Sequence, residues 1–144
     1  MDFNKFTIKA QEAVQEAVNL VQQQGQQVIE PVHILNGILK SSEQIASFLL
    51  QKAGAHFENI KRQSDATMRT LPRVSGGNPY LSRESNQVIT KAQELAKQMG
   101  DEFVSVEPLL LALMETGSQA STILKSNGAT KSEVEKAIAE LRQG

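Results

Sequence analysis

The sequence predicts an all-α fold of eight helices, arranged as a pseudo-twofold tandem repeat of two four-helix units. Three observations lead there. Ala10, Val14, Ala17 and Val21 recur at spacings of four, three and four, the period of one helix face. A matching pattern returns 75 positions later, with Gly25 and Gly100 closing corresponding segments. Aromatic residues make up only 4% of the chain, and Ala, Leu, Ile, Val and Gln dominate instead. An antiparallel sandwich would call for more aromatic and β-branched alternation.

The first helix is expected from about Thr7 to Gln24, with Thr7 as N-cap and Phe6 anchoring the incoming chain. Gly25 ends it where a left-handed backbone is easily adopted. Leu81, Ser82, Ile89, Ala92, Ala96 and Gly100 repeat that construction. The second helix opens at Glu30-Pro31, where a proline loses no intrahelical bond. Its counterpart is capped by Ser105, and Pro108 still lies in its first turn. Ile34, Leu35, Ile38 and Leu39 make one apolar stripe, and Leu109, Leu110, Leu113 and Met114 the other. Gly37 matches Ala112, a small residue in both copies where helices can cross closely.

Third helices are expected near Glu43–Ala53 and Ser118–Asn127, carrying Phe48, Leu49 and Leu50 in one and Ile123 and Leu124 in the other. Gly54 and Gly128 stop them, now at an offset of 74. Fourth helices start near His56, with Phe57, Ile60 and Met68, and at Thr130, with Glu133 completing a capping box. Val134, Ala137, Ile138 and Leu141 form the last stripe. The repeats therefore span about 6–70 and 81–142, joined by a linker at 71–80 that contains Pro72, Gly76, Gly77 and Pro79. Each half is too small to bury a good core alone, so residues 1–144 are read as one domain.

Fifteen basic against sixteen acidic residues leave a formal charge of −1. That balance disfavours binding nucleic acid through phosphate neutralisation. The lack of cysteine removes disulfides, thiolate nucleophiles and thiolate metal ligands. No apolar run approaches the roughly 20 residues of a membrane span. Met1-Asp2-Phe3-Asn4-Lys5 does not read as a secretory signal, so a cytoplasmic domain is expected. No glycine-rich phosphate loop followed by Lys and Ser/Thr occurs. His33 and His56 lack local partners for a catalytic relay and read as capping or partly buried residues. Lys91–Glu94 and Lys136–Glu140 have ion-pair spacing. Asp101 and Glu102 lie at a helix-to-loop junction, and Glu107 complements the start of its helix. The balance points to a binding module. Its expected surface is a greasy groove along the join of the halves, with nearby carboxylates favouring peptides that carry Lys or Arg.

The run Phe6-Thr7, the stretch Glu30-Pro31-Val32-His33-Ile34-Leu35, and Gly100-Asp101-Glu102-Phe103-Val104-Ser105-Val106-Glu107 resemble the duplicated N-terminal domain of the Clp/Hsp100 unfoldases. The ending, from Gly128-Ala129-Thr130 through Val134-Glu135-Lys136-Ala137-Ile138 to Arg142-Gln143-Gly144, is most similar to the ClpB/Hsp104 disaggregase branch. The likeness covers essentially the whole chain and implies the double Clp N-terminal fold. It also implies a mobile, non-catalytic appendage of a hexameric ring that threads unfolded or aggregated polypeptide and works with the DnaK system. ATP and Mg²⁺ are then expected of the full-length parent, with no cofactor or metal for this domain, which would be monomeric in isolation. By the same resemblance Thr7, Asp101 and Glu107 match positions implicated in substrate handling. Ile89 and Pro108 match positions lining an apolar groove, although Pro108 stands where another apolar residue is more usual. The alternatives are an adaptor- or degron-binding domain of a ClpA/ClpC-type unfoldase feeding the ClpP protease, and a standalone hydrolase built on His33 or His56.

Overall fold

Thr7 and Ser82 begin two long helices by the same chemistry. The Thr7 hydroxyl accepts the Ala10 amide at 3.2 Å, and the Ser82 hydroxyl accepts the Ser85 amide at 3.0 Å. Each thereby satisfies a donor that the first helical turn leaves unpaired. The helices, α1 (Ile8–Gln23) and α5 (Arg83–Gln98), end at Gly25 and Gly100, whose φ values of 67° and 79° lie in the left-handed region. A side chain there would be strained, which is why both copies carry glycine.

The computed structural model describes residues 3–143. Among them the order is α1, β1 (Val28–Ile29), α2 (Pro31–Ser41), α3 (Glu43–Lys52), α4 (Phe57–Arg69), β2 (Tyr80–Leu81), α5, α6 (Val106–Glu115), α7 (Gln119–Ser126) and α8 (Lys131–Gln143). The eight expected helices are present, within a residue or two of the expected bounds. Met1, Asp2 and Gly144 of the expected domain lie outside the described residues.

α2 and α6 occupy the centre. Ile34, Leu35 and Ile38 from one, and Leu109, Leu110 and Leu113 from the other, are fully buried in one continuous core. α1 covers α2 and α5 covers α6, while α3 packs on α8 and α4 on α7, so the halves share their interior. The turns after α3 and α7 also meet, where the His56 amide donates to Asn127 O at 2.9 Å.

A small element absent from the helical reading locks the repeats together. β1 pairs with β2 in parallel, placing Ile29 opposite Leu81. An isolated parallel bridge places Phe6 opposite Val104. At the 75-residue offset Phe6 corresponds to Leu81 and Ile29 to Val104, so the two pairings are one interaction exchanged between the halves. The segment leading into each long helix finds its partner in the other repeat. Tyr80, the end of the expected linker, is consequently a strand residue, and Val74 N–H is tied to Gly25 O at 3.0 Å.

Three local expectations are corrected. Phe48 is partly exposed while Leu49 and Leu50 are buried, because three successive helical residues cannot all face one neighbour. Ser105 holds the N-cap position of α6, but its hydroxyl donates to Glu107 Oε1 at 3.3 Å rather than accepting a helix amide. Lys91 pairs with Glu94 at 3.8 Å, but Lys136 pairs with Glu133 at 3.4 Å. Glu140 instead reaches Lys52 across the α3–α8 contact at 3.3 Å.

His33 is fully buried and serves as a cap. Its Nδ1 accepts the Glu30 amide at 2.9 Å, which leaves the proton on Nε2 to donate to Gln26 Oε1 at 2.7 Å. Gln26 in turn donates to Met68 O at 2.8 Å and Leu71 O at 3.2 Å. Both imidazole nitrogens are thus engaged in their neutral roles, and burial lowers the His33 pKa from 6.5 to about 4.

Two predictions follow from this packing. A Cβ on Gly37 would sit 2.2 Å from the backbone oxygen of Ala13, where α1 crosses α2. Gly37→Ala therefore lowers stability by about 1–3 kcal/mol despite alanine's better helix propensity; an unchanged urea midpoint would contradict this close crossing. For His33, the unfolded chain binds a proton between about pH 6.5 and 4 that the native chain refuses. Its contribution is complete above pH 6.5 and is lost as pH falls towards 4, amounting to at most about 3 kcal/mol. Urea unfolding from pH 7.0 to 5.0 should show a steeper loss for the wild type than for His33→Gln, and an imidazole NMR titration centred near 6.5 would refute the assignment.

Candidate functional site

The bridge between Phe6 and Val104 builds a surface at the end of the molecule where the first repeat begins. Thr7 N–H donates to Val104 O at 2.9 Å, and Val104 N–H donates to Lys5 O at 2.7 Å. Phe6 and Val104 point into the core. Alternation along paired backbones turns their neighbours outward, and Lys5 Nζ lies 5.9 Å from the centre of the Phe103 ring. Two large apolar side chains stay in solvent here: Ile8 is 75% exposed and Phe103 is 43% exposed.

Asp101 and Glu107 flank the same loop. Asp101 follows the glycine turn, where its amide donates to Ala96 O at 2.9 Å. Glu107 lies in the first turn of α6, which favours a carboxylate. Arg142, in the last turn of α8, joins them. Its Nη1 and Nη2 donate to the two Asp101 carboxylate oxygens at 3.0 and 2.8 Å, a bidentate pair. Nη2 and Nε reach Glu107 Oε1 at 3.1 and 3.3 Å, and Nη2 also approaches Ser105 Oγ at 3.4 Å. The Asp101 hydrogen bonds, then those to Glu107, hold the guanidinium pKa above its ordinary value against partial desolvation.

The structure thus gathers Thr7, Asp101 and Glu107 onto one surface. Ile89 and Pro108 lie elsewhere in kind: Ile89 is 4% exposed and Pro108 is buried, within the layer where α5 packs on α6. The middle of the join is closed by fully buried α2 and α6 side chains; Ile8 and Phe103 are exposed beside the Phe6–Val104 bridge, while Phe48, Val74 and Tyr80 are exposed elsewhere. Both carboxylates already share a cation from the chain itself, Arg142. Arg142 and Ile8 escaped sequence reasoning. Arg142 lies 35 and 41 residues from its partners, beyond any local spacing rule.

Other features contribute less. A cleft of about 470 Å³ between α2 and α4 has a rim of ion pairs, Lys61–Glu43 and Arg69–Asp65. The two nitrogens of His33 are both engaged, Nδ1 by the Glu30 amide and Nε2 by Gln26 Oε1, which leaves it no free base for a relay. Among the described residues no group of three or more His, Cys, Asp or Glu is placed to hold a metal ion. Among the described residues no helix is long and apolar enough to cross a membrane.

The sequence profile of the Clp repeat N-terminal domain matches residues 5–127. The chain is 56% identical over 144 residues to the chaperone protein ClpB of Bacteroides thetaiotaomicron, covering 100% of this chain and 17% of that protein. Among solved structures, the Hsp104 N-terminal domain from Candida albicans superposes with a TM-score of 0.83 at 24% identity, covering 96% of this chain and 92% of that one. A complex of a ClpV N-domain with a VipB peptide gives a TM-score of 0.76 at 17% identity, covering 95% and 86%.

The Thr7 cap separates fold from surface chemistry. Thr7→Ala removes the acceptor for the Ala10 amide and should cost about 1 kcal/mol in chemical unfolding, whereas Thr7→Ser retains most of it. Equal stabilities for the two variants would show that the cap contributes nothing.

Proposed function

The chain belongs to the Clp repeat N-terminal domain family, and we propose that it is a non-catalytic module that engages unfolded or aggregated polypeptide for an ATP-dependent disaggregase. The observation that carries the proposal is the convergence of Thr7, Asp101 and Glu107, drawn from both repeats, beside the exposed Ile8 and Phe103. Solvated aromatic and aliphatic side chains ringed by polar groups are the usual makings of a protein-contact surface. Apolar contact is non-directional, so such a surface tolerates many sequences at modest affinity.

The ClpB relative supports the disaggregase reading over a protease-linked adaptor domain. The chain spans only 17% of that relative, and the hexameric ring, ATP, Mg²⁺ and partnership with the DnaK system are proposed for the parent as a whole. The peptide-bound ClpV N-domain supports polypeptide as the ligand class. In this reading Thr7, Asp101 and Glu107 form the contact surface, while Ile89 and Pro108 support it from within the α5–α6 layer. The module acts in the cytoplasm, and its own chemistry is binding alone.

The test uses reduced, carboxymethylated α-lactalbumin as a permanently unfolded probe, with native α-lactalbumin as control. Backbone amide shifts should change at 5–8, at 101–107 and in the last turn of α8 with the unfolded probe only. Ile8→Asp and Phe103→Asp should each weaken binding by about tenfold. Shifts confined to α3 and α4, or an equal response to the native control, would overturn the proposal.

A further inference from the structure

We infer that Arg142 sets the charge selectivity of this surface, as a tethered cation that competes with the Lys and Arg residues of a bound chain for Asp101 and Glu107. The inference rests on the polypeptide-engaging reading and concerns which polypeptides the surface prefers.

The two carboxylates arrive from different elements and converge on one guanidinium, which makes two bonds to Asp101 and two to Glu107 Oε1. All three side chains remain partly exposed, so a cation from outside reaches them without opening the core. Neighbouring Lys5 and Glu102 offset one another in charge. With Arg142 in place the three groups sum to −1; without it they sum to −2. A cationic chain has to displace an arginine already held in bidentate geometry and supplied at the high effective concentration of a tethered group. A neutral apolar chain meets no such competitor.

The architecture does not require this cluster. At the repeat offset of 74 residues Met68 stands opposite Arg142, and at 75 residues Gln26 stands opposite Asp101. There the last turn of α4 is joined to its loop by a neutral bond, from Gln26 Nε2 to the backbone oxygen of Met68. The fold therefore makes the same connection with or without charge. α8 is held independently by Val134, Ala137 and Ile138, all buried, so Arg142 is free to serve the surface.

The experiment compares two fluorescent peptides with one apolar sequence, flanked by Arg in one and by Gln in the other. Anisotropy titrations are run on the wild type, on Arg142→Gln, and on Arg142→Met, which copies the residue of the first repeat. Both variants should tighten the Arg-flanked peptide by about 3–10-fold and leave the Gln-flanked peptide within about twofold. Salt should weaken the Arg-flanked peptide more steeply in the variants than in the wild type, a response that a purely structural role would not produce. Parallel changes for both peptides, or none for either, would overturn the role of Arg142 while leaving the polypeptide surface standing. If the Gln-flanked peptide binds the wild type but ignores Ile8→Asp, or does not bind, the polypeptide-engaging reading itself fails.

Discussion

A backbone running into a helix carries amides and carbonyls that no helical bond satisfies, and they need partners wherever water is excluded. In this chain each repeat obtains those partners from the other. Thr7 N–H finds Val104 O at 2.9 Å, and Ser82 N–H finds Ile29 O at 3.1 Å. Ser85 adds a buried hydroxyl bond to the same Ile29 oxygen at 2.6 Å. The exchange fixes where α1 and α5 start and orients α2 and α6 at the centre. It also places residues 5–8 beside 101–107. Neither half completes its own hydrogen bonding, so the candidate surface exists only when both are folded together.

The helices were legible because each rests on local signals. Thr7 and Ser82 cap, Gly25 and Gly100 stop, and the stripes in α2 and α6 face one core. The repeat offset was readable for the same reason, since it aligned stops with stripes. The exchanged pairings were not. They involve one or two residues on each side, too few for alternation to register, and they join positions 52 and 98 residues apart. The surface was legible in part. Asp101 and Glu107 stood out as carboxylates at a helix junction, yet their cation comes from the far end of the chain. Chemical breaks in the repeat, Met68 against Arg142 and Gln26 against Asp101, are its signs in the sequence.

The two ends of the molecule show how one backbone plan supports different chemistry. At the first-repeat loop a buried neutral network runs from Glu30 N–H through His33 and Gln26 to the end of α4. Its links join uncharged groups, and the chain after α4 folds back over it through Val74 and Tyr80. At the second-repeat loop the places of Gln26 and Met68 are taken by Asp101 and Arg142, which with Glu107 make an ion cluster reachable from solvent. A buried neutral network favours a single arrangement, because each broken bond leaves a polar group without water. An exposed ion cluster is weakly held and can exchange partners. The duplicated fold thereby places a buried neutral network at one end and a solvent-reachable ion cluster at the other.

That division bears on how a surface can accept many sequences without binding every one. Ile8 and Phe103 offer apolar area with no directional demand, and on that basis alone any loosened chain would adhere. For the proposed surface, discrimination has to come from groups whose satisfaction depends on the ligand, and the candidates there are Asp101 and Glu107. Were they unpaired, the surface would favour cationic chains through simple attraction. Shared with Arg142, they are already satisfied, and an incoming positive charge gains only the difference between two similar pairings. Under the proposed function, the ordering among ligands would then be set chiefly by apolar content, the property that distinguishes an unfolded chain from a folded one.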